Sequence, residues 1–251
     1  MKYRRQIWDS VARDYDVIWK AADYTPILRS IVEEAKIDSG KKVLDVATGT
    51  GMVGIEVAKK VGENGFVLGI DLSKRMLKQA MKKKKVQNVD KIYFILADAH
   101  TLPLRDEHFD AVTSCFAFAF LSNPLRAADE MARVLRTGGR LVSAEWERPP
   151  LGFWAETRKK GGIHDFLESE LVKILHNSGL RKIRTERIQI LHRRPNVSDE
   201  LIEKSQLLSV RLTGLKESDA KWFFSKIREE YQKLPQKNRG WLPILYVGVK
   251  S

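Results

Sequence analysis

The 251-residue chain has a single cysteine, Cys115, which excludes a disulfide framework and any cysteine-based zinc cluster. No run approaches the roughly 18 uninterrupted apolar residues of a membrane span, so none is expected. The first residues, MKYRRQIWDSVARDYD, lack the apolar stretch of a secretory signal, and a cytoplasmic protein is the expectation. Asn and Gln together number only 13. Internal repeats, low-complexity segments and blocks of five like charges are all missing.

Charge of one sign is in excess. Lys and Arg total 45 against 32 Asp and Glu, a net charge of +13. Residues 1–150 hold 25 basic and 20 acidic residues, and 151–251 hold 20 and 12, so the tilt is C-terminal. Such an excess marks either a surface for a polyanion or a Lys- and Glu-rich surface of thermophile type, to which the scarcity of Asn and Gln also points. Hydrophobic residues at 43% are ample for a core.

Residues 41–146 read as strands alternating with helices, the order of a parallel sheet covered on both faces. The expected strands are 42–47, 65–70, 92–96, 109–116 and 140–146. Between them lie helices at 52–61, from Ser73 as N-cap to Lys85, and at 124–135, the last closing at Gly138-Gly139. An aromatic-rich segment, Trp8 to Trp19, and a helix over 26–35 precede this block. Beyond Pro149-Pro150 come a helix over 168–178, a sixth strand over 181–191, helices over 199–212 and 218–233, and a final strand over 242–249. The count is seven strands.

The sharpest local feature is the loop Asp45-Val-Ala-Thr-Gly-Thr-Gly51-Met-Val-Gly54, whose glycines 49, 51 and 54 fit the spacing by which a strand turns into a helix beside a nucleotide-like ligand. Asp71 ends the next strand, where a carboxylate accepts ribose hydroxyls. Asp98 ends the third, where its carboxylate can accept from an adenine amino group while Ala99 donates a backbone N–H. A dinucleotide would need its pyrophosphate at the helix N-terminus, where the negative Asp45 is unhelpful. S-adenosylmethionine has a cationic amino-acid tail, a ribose, an adenine and no phosphate, and is favoured over NAD(P).

VLDVATGTG, GIDLSKRML, LADAHTLPLRDEHFDAVTSCF and RVLRTGGRLVSAEW, in this order and spacing, resemble the successive motifs of class I S-adenosylmethionine-dependent methyltransferases. The variety they look most like is the ubiquinone/menaquinone-biosynthesis C-methyltransferase group, whose N-terminal segment WDSVARDYD also resembles. The resemblance covers about residues 8–148. It implies an α/β fold: a doubly wound, seven-stranded, mostly parallel sheet of Rossmann-like methyltransferase type with a last antiparallel strand. It carries Asp45, Thr48, Gly49 and Gly51 over to the methionine portion of S-adenosyl-L-methionine, Asp71 and Leu72 to the ribose, Asp98 and Ala99 to the adenine, and Ser114 and Cys115 to the sulfonium. Tyr15 either closes over the cofactor or packs an aromatic arm. A single domain over 1–251 is expected, with a helical lid at 1–40, a cofactor core at 41–148 and a helical insertion at 195–238 shaping substrate access.

Methyl transfer needs alignment and exclusion of water rather than a metal or a covalent nucleophile. A base matters only where the acceptor must lose a proton early. His100 and Glu145, expected to face the cleft, are the chosen candidates, with His164 and His192 behind them and His108 set aside. The Asn/Asp-Pro-Pro-aromatic motif of amino-group methyltransferases is missing; residues 114–117 read Ser-Cys-Phe-Ala. Phe116, Phe118 and Phe120, with Trp146, Phe153, Trp154, Trp222, Phe223, Phe224 and Trp241, suit either core packing or a pocket for a small aromatic or apolar acceptor. The basic stretches at 158–160, 181–187, 192–194 and 237–239 keep tRNA or rRNA as the alternative substrate. A cofactor-binding protein without transferase activity is a third class. Sequence alone leaves the oligomeric state undefined.

Overall fold

The computed structural model describes residues 2–146, 167–189, 198–212 and 243–251, with isolated positions 218, 222, 225, 226 and 229. The helices are α1 (Lys2–Val11), α2 (Asp16–Ala21), α3 (Thr25–Glu34), α4 (Met52–Ala58), α5 (Lys74–Val86), α6 (Pro124–Val134), α7 (Glu168–Asn177) and α8 (Asp199–Leu212). The strands are β1 (Lys42–Val46), β2 (Phe66–Asp71), β3 (Ile92–Leu96), β4 (Phe109–Cys115), β5 (Leu135–Trp146), β6 (Leu180–Arg187) and β7 (Pro243–Lys250).

The strands form one sheet in the order β3-β2-β1-β4-β5-β7-β6. β1 to β5 run parallel, and β7 lies antiparallel between β5 and β6. The chain winds outward from β1 to β3, then returns to lay β4 against β1. Strand order reverses between these two, opening a crevice at their C-terminal ends where open α/β sheets bind ligands. Apolar side chains on both faces of β1 and β4 make the sheet the middle layer of three. Ile27, Ile31, Val53 and Ile55 of α3 and α4 cover one face; Met131, Leu171 and Leu175 of α6 and α7 cover the other.

Local chemistry sets the ends of the elements. Ser73 caps α5, its Oγ accepting from the Met76 amide at 3.1 Å. Asn123 caps α6 through Oδ1 and the Arg126 amide at 3.0 Å, ahead of Pro124, whose missing N–H is no loss in a first turn.

The glycine pair 138-139 does not close α6 as expected. The helix ends at Val134 and β5 begins at once, with Leu135 opposite Phe109 and Arg140 opposite Ala111. The residues between them form a bulge, and a Cβ on Gly139 would meet the Arg136 carbonyl at 2.8 Å. α8 matches its expected bounds and sets Leu208, with Leu212, against Val11, Ala12, Tyr15 and Ile18 of the N-terminal segment. The expected helix over 218–233 has only isolated described positions. Pro149-Pro150, Phe153, Trp154, Phe223, Phe224 and Trp241 lie outside the described residues, as do His164 and His192.

Candidate functional site

A cleft of about 1050 Å³, its open mouth included, sits over the C-terminal ends of β1, β2, β3 and β4 beneath α1 and α2.

Its floor is the turn after β1. Ala47, Gly49 and Gly51 all take positive φ, 56°, 55° and 80°, and the Thr48 amide is held by the Ile70 carbonyl at 2.8 Å. A Cβ on Gly49 would find nothing nearer than the Ala47 carbonyl at 4.0 Å and would stand in the cleft. Gly49 thus leaves bare backbone for a ligand to approach. Gly51 acts differently: it lies outside the lining, and a Cβ there would press on Ala80 at 3.1 Å.

Three carboxylates surround this floor. Asp45, almost fully buried, accepts from Thr48 Oγ1 at 2.6 Å and from Thr113 Oγ1 at 2.8 Å. Asp71 accepts from the Gly49 amide through Oδ2 at 2.9 Å and from the Ser73 amide through Oδ1 at 2.8 Å. Burial pushes each carboxyl up to about 6, against the opposing pull of those hydrogen bonds. Both are therefore mostly ionised above neutrality. Asp98 accepts from the backbone N–H and the Nδ1 of His100, at 2.9 and 2.5 Å. Among the described residues no lysine or arginine lines the cleft, and no cluster of three or more His, Cys, Asp or Glu is arranged to hold a metal ion.

At the other end the walls are aromatic. Trp8 of α1 meets Tyr15 edge-on at 5.8 Å and Phe120 at 4.9 Å. Trp19, Phe116, Cys115 and Leu121 complete the surface. Burial raises the Tyr15 phenol and the Cys115 thiol well above their usual ranges, so both remain protonated and neutral. The alternation of Phe116, Phe118 and Phe120 does not survive folding. A short 3₁₀ turn over Phe118–Phe120 sends Phe118 into the core, while Phe116, at φ 54°, stacks on Trp146 at 5.1 Å.

Of the residues singled out from sequence, Tyr15, Asp45, Thr48, Gly49, Asp71, Leu72, Asp98, Ala99, His100 and Cys115 line the cleft; Gly51, Ser114 and Glu145 do not. Ser114 precedes Cys115 on β4 and so points to the opposite face; it is fully buried, and its Oγ has no hydrogen-bond partner. Glu145 is buried behind the wall instead of facing the cleft. Its Oε1 accepts from the Ala117 and Phe118 amides at 2.9 and 3.1 Å, its Oε2 has no partner, and burial raises it to about 7. Holding the turn that carries Phe116 is what this geometry provides.

His100 lines the cleft, yet its nitrogens are engaged. Nδ1 faces Asp98, and Nε2 lies 3.2 Å from the Asn123 backbone N–H, which can only donate. This pattern assigns a neutral imidazole with the proton on Nδ1 and its basic lone pair occupied.

Sequence reasoning passed over Trp8, Trp19, Thr50, Met76, Leu121 and Ser122 as lining residues. Only the clustering of aromatics over 8–19 signalled the first two. Thr50 belongs to a latch: its Oγ1 donates to Asp16 at 2.5 Å and lies 3.2 Å from Lys83 Nζ, which in turn pairs with Asp16 at 2.8 Å. A second tie joins Asp9 to Ser73 Oγ at 2.6 Å. Both bind the N-terminal helices to the segments that follow β1 and β2.

The basic stretch 181–187 forms β6, where Arg184 pairs with Glu34 and Arg187 with Glu168 at 3.0 Å. Charged side chains on such an edge strand discourage pairing with another chain. The stretches at 158–160, 192–194 and 237–239 lie outside the described residues.

Comparison with known proteins adds to this geometry. Residues 2–157 match the model of the ubiE/COQ5 methyltransferase family. A ubiquinone/menaquinone biosynthesis C-methyltransferase UbiE of Azotobacter vinelandii is 33% identical over 156 residues, 57% of this chain and 58% of the relative. The Proteus mirabilis protein of the same name is 31% identical over 158 residues, 58% and 60%. The matched segment spans about 58% of the length of these relatives. Among solved structures, the YcgJ protein of Bacillus subtilis aligns with a TM-score of 0.64 at 20% identity, covering 89% of this chain and 97% of that one. Phosphoethanolamine N-methyltransferase 2 of Haemonchus contortus, in complex with S-adenosyl-L-methionine, aligns at 0.70 with 16% identity, covering 96% and 57%. These two likenesses establish the shared fold.

Proposed function

The chain belongs to the ubiE/COQ5 methyltransferase family, and from that premise we propose that it transfers a methyl group from S-adenosyl-L-methionine to a small, apolar, aromatic acceptor. The observation that carries the reading is the polarity of the cleft, with three carboxylates and bare glycine backbone at one end, an aromatic wall at the other and no described cation between them. A cationic ligand without phosphate suits the acidic end, whereas a dinucleotide would meet carboxylates and no counter-charge. The relatives' name, ubiquinone/menaquinone biosynthesis C-methyltransferase, supports a ring carbon of a quinone precursor as the methylated atom.

The cofactor, when bound, supplies a methyl carbon already activated by a sulfonium. The chain's residues do the rest by position. Asp71, aimed by the Gly49 and Ser73 amides, accepts from the ribose hydroxyls. Asp98 and Ala99 meet the adenine, and Asp45, Thr48 and Gly49 the methionine end. Tyr15 and Cys115, neutral and half-buried, face the sulfonium without offering a competing nucleophile. Trp8, Trp19, Phe116 and Phe120 orient an aromatic ring and exclude water. Gly51, Ser114 and Glu145 act from behind the lining.

Residues 1–40 serve as the lid and 41–148 as the cofactor core within one domain. The insertion at 195–238 contributes to access, consistent with α8 resting on α1 and α2. Product S-adenosyl-L-homocysteine leaves when this cover opens. Equilibrium binding tests the first half of the reading: S-adenosylhomocysteine should bind in the micromolar range or tighter and NADH should not compete. Preference for NADH would overturn it.

A further inference from the structure

Helix α5 carries seven basic residues, Lys74, Arg75, Lys78 and the run Lys82–Lys85, and no acidic one. Three of them have partners inside the fold. Arg75 reaches the Asp9 carbonyl at 3.4 Å, Lys83 pairs with Asp16 at 2.8 Å, and Lys84 bonds the Ile92 carbonyl at 2.6 Å. The other four, Lys74, Lys78, Lys82 and Lys85, are exposed and make no ion pair among the described residues. Their spacings of four, four and three residues place them on one face of the helix.

This arrangement works against the helix. Like charges four apart each destabilise it, and Lys74 and Arg75 stand in the first turn, where the macrodipole disfavours cations. Only the last-turn lysines gain from that dipole. The repulsion is relieved when an external anion lies along the face.

Two further features identify the anion. Met81 and Val86 stand among these lysines at 52% and 85% exposure, an apolar component that a lipid surface receives and a phosphodiester strand does not. Tyr93, the nearby exposed aromatic, has Lys84 Nζ over its ring at 5.2 Å and so cannot stack freely on a base. The helix also joins the cleft from its buried side: Ser73, its N-cap, donates to Asp9 of α1, while Trp8 and Met76 line the cavity. Arg5 extends the exposed positive charge along α1.

We propose that the outer face of α5, with α1 beside it, docks on an anionic lipid surface and holds the cleft mouth where an apolar acceptor partitions. The acceptor's entry from the membrane rests on the function proposed above; the docking itself does not. Co-sedimentation of the full chain, without cofactor or acceptor, with vesicles of phosphatidylcholine alone or with about one-third phosphatidylglycerol therefore tests docking separately from catalysis. The protein should favour the anionic vesicles by at least about tenfold, with binding weakened by salt. Reversing all four lysines (Lys74→Glu, Lys78→Glu, Lys82→Glu, Lys85→Glu) should reduce binding by about a hundredfold or more. The four corresponding Gln substitutions, free of new repulsion, should give an intermediate loss with the melting temperature kept. Equal binding to neutral and anionic vesicles, no vesicle binding, retained binding in the Glu variant, or displacement from vesicles by tRNA at equal phosphate would each overturn the proposal.

Discussion

Replacing Asp71 with asparagine isolates the carboxylate on which the cofactor reading depends. In the wild type one oxygen accepts from Gly49 N–H at 2.9 Å and the other from Ser73 N–H at 2.8 Å, leaving lone pairs of both for the ribose. An asparagine of the same shape retains one of these bonds and turns its amide N–H₂ toward the other donor. Leaving a half-buried N–H unpaired destabilises the loop by about 1–3 kcal/mol. Loss of the charged acceptor removes a further interaction of about 1.5–3 kcal/mol with the ribose hydroxyls. The lost ribose interaction weakens binding of S-adenosylhomocysteine by about ten- to 150-fold, whereas the unpaired N–H lowers the stability of the free protein. Calorimetric titration at pH 8, well above the value of about 6 for Asp71, reads this loss, and a thermal melt of the free protein reports the loop contribution. An analogue lacking the ribose hydroxyls separates the two: it should bind the wild type weakly and lose much less on substitution. Wild-type affinity should also fall as pH drops through about 6, because Asp71 and Asp45 take up protons. An Asn variant within twofold of wild type, or an equal loss for the ribose-free analogue, would refute the reasoning.

Glu145 links stability to pH. Burial holds its carboxyl up at about 7 in the fold against a usual 4.5, so its contribution is full below about pH 4.5 and is lost as pH rises through 7, up to about 3 kcal/mol. Denaturant unfolding should show Glu145→Gln gaining relative to wild type between pH 5 and pH 8; a constant difference would contradict this. Lys83→Met breaks the Lys83–Asp16–Thr50 latch, and stopped-flow release of S-adenosylhomocysteine should accelerate several-fold with faster hydrogen exchange over residues 8–24; unchanged exchange and release would show that the latch does not hold the lid. His100→Asn removes the bridge between Asp98 and the Asn123 amide. It should lower the melting temperature while kcat falls less than about tenfold with its pH profile unchanged, whereas a drop of about 10²–10⁴ in a well-folded variant would make His100 the general base after all.

The carboxylate and glycine end of the cleft was legible because each of its signals is local. An acid, a glycine turn and a strand end within ten residues fix the floor, and Ser73 announces its own helix. The aromatic end and its cover depend on contacts distant in sequence, such as Trp8 against Phe120 and Thr50 against Asp16, which no short-range pattern encodes. Glu145 shows the limit most clearly. A carboxylate at a strand end reads as facing the cleft, but strand alternation turns it to the opposite face, where the amides of 117 and 118 claim it. Gly138-Gly139 reads as a helix stop, and only the β4–β5 register reveals a bulge. The three alternate phenylalanines likewise read as one surface until a 3₁₀ turn redirects the middle one.

The central claim is methyl transfer to an apolar small molecule. Incubating the full chain with S-adenosyl-L-methionine labelled in its methyl group and a fractionated cell extract, then separating organic-extractable lipid, water-soluble small molecules and RNA, tests it most directly. The account predicts label in the organic-extractable fraction, resistant to nuclease and lost in the Asp71→Asn variant. Label confined to nuclease-sensitive RNA, or no transfer to any fraction by a protein that binds the cofactor, would contradict it.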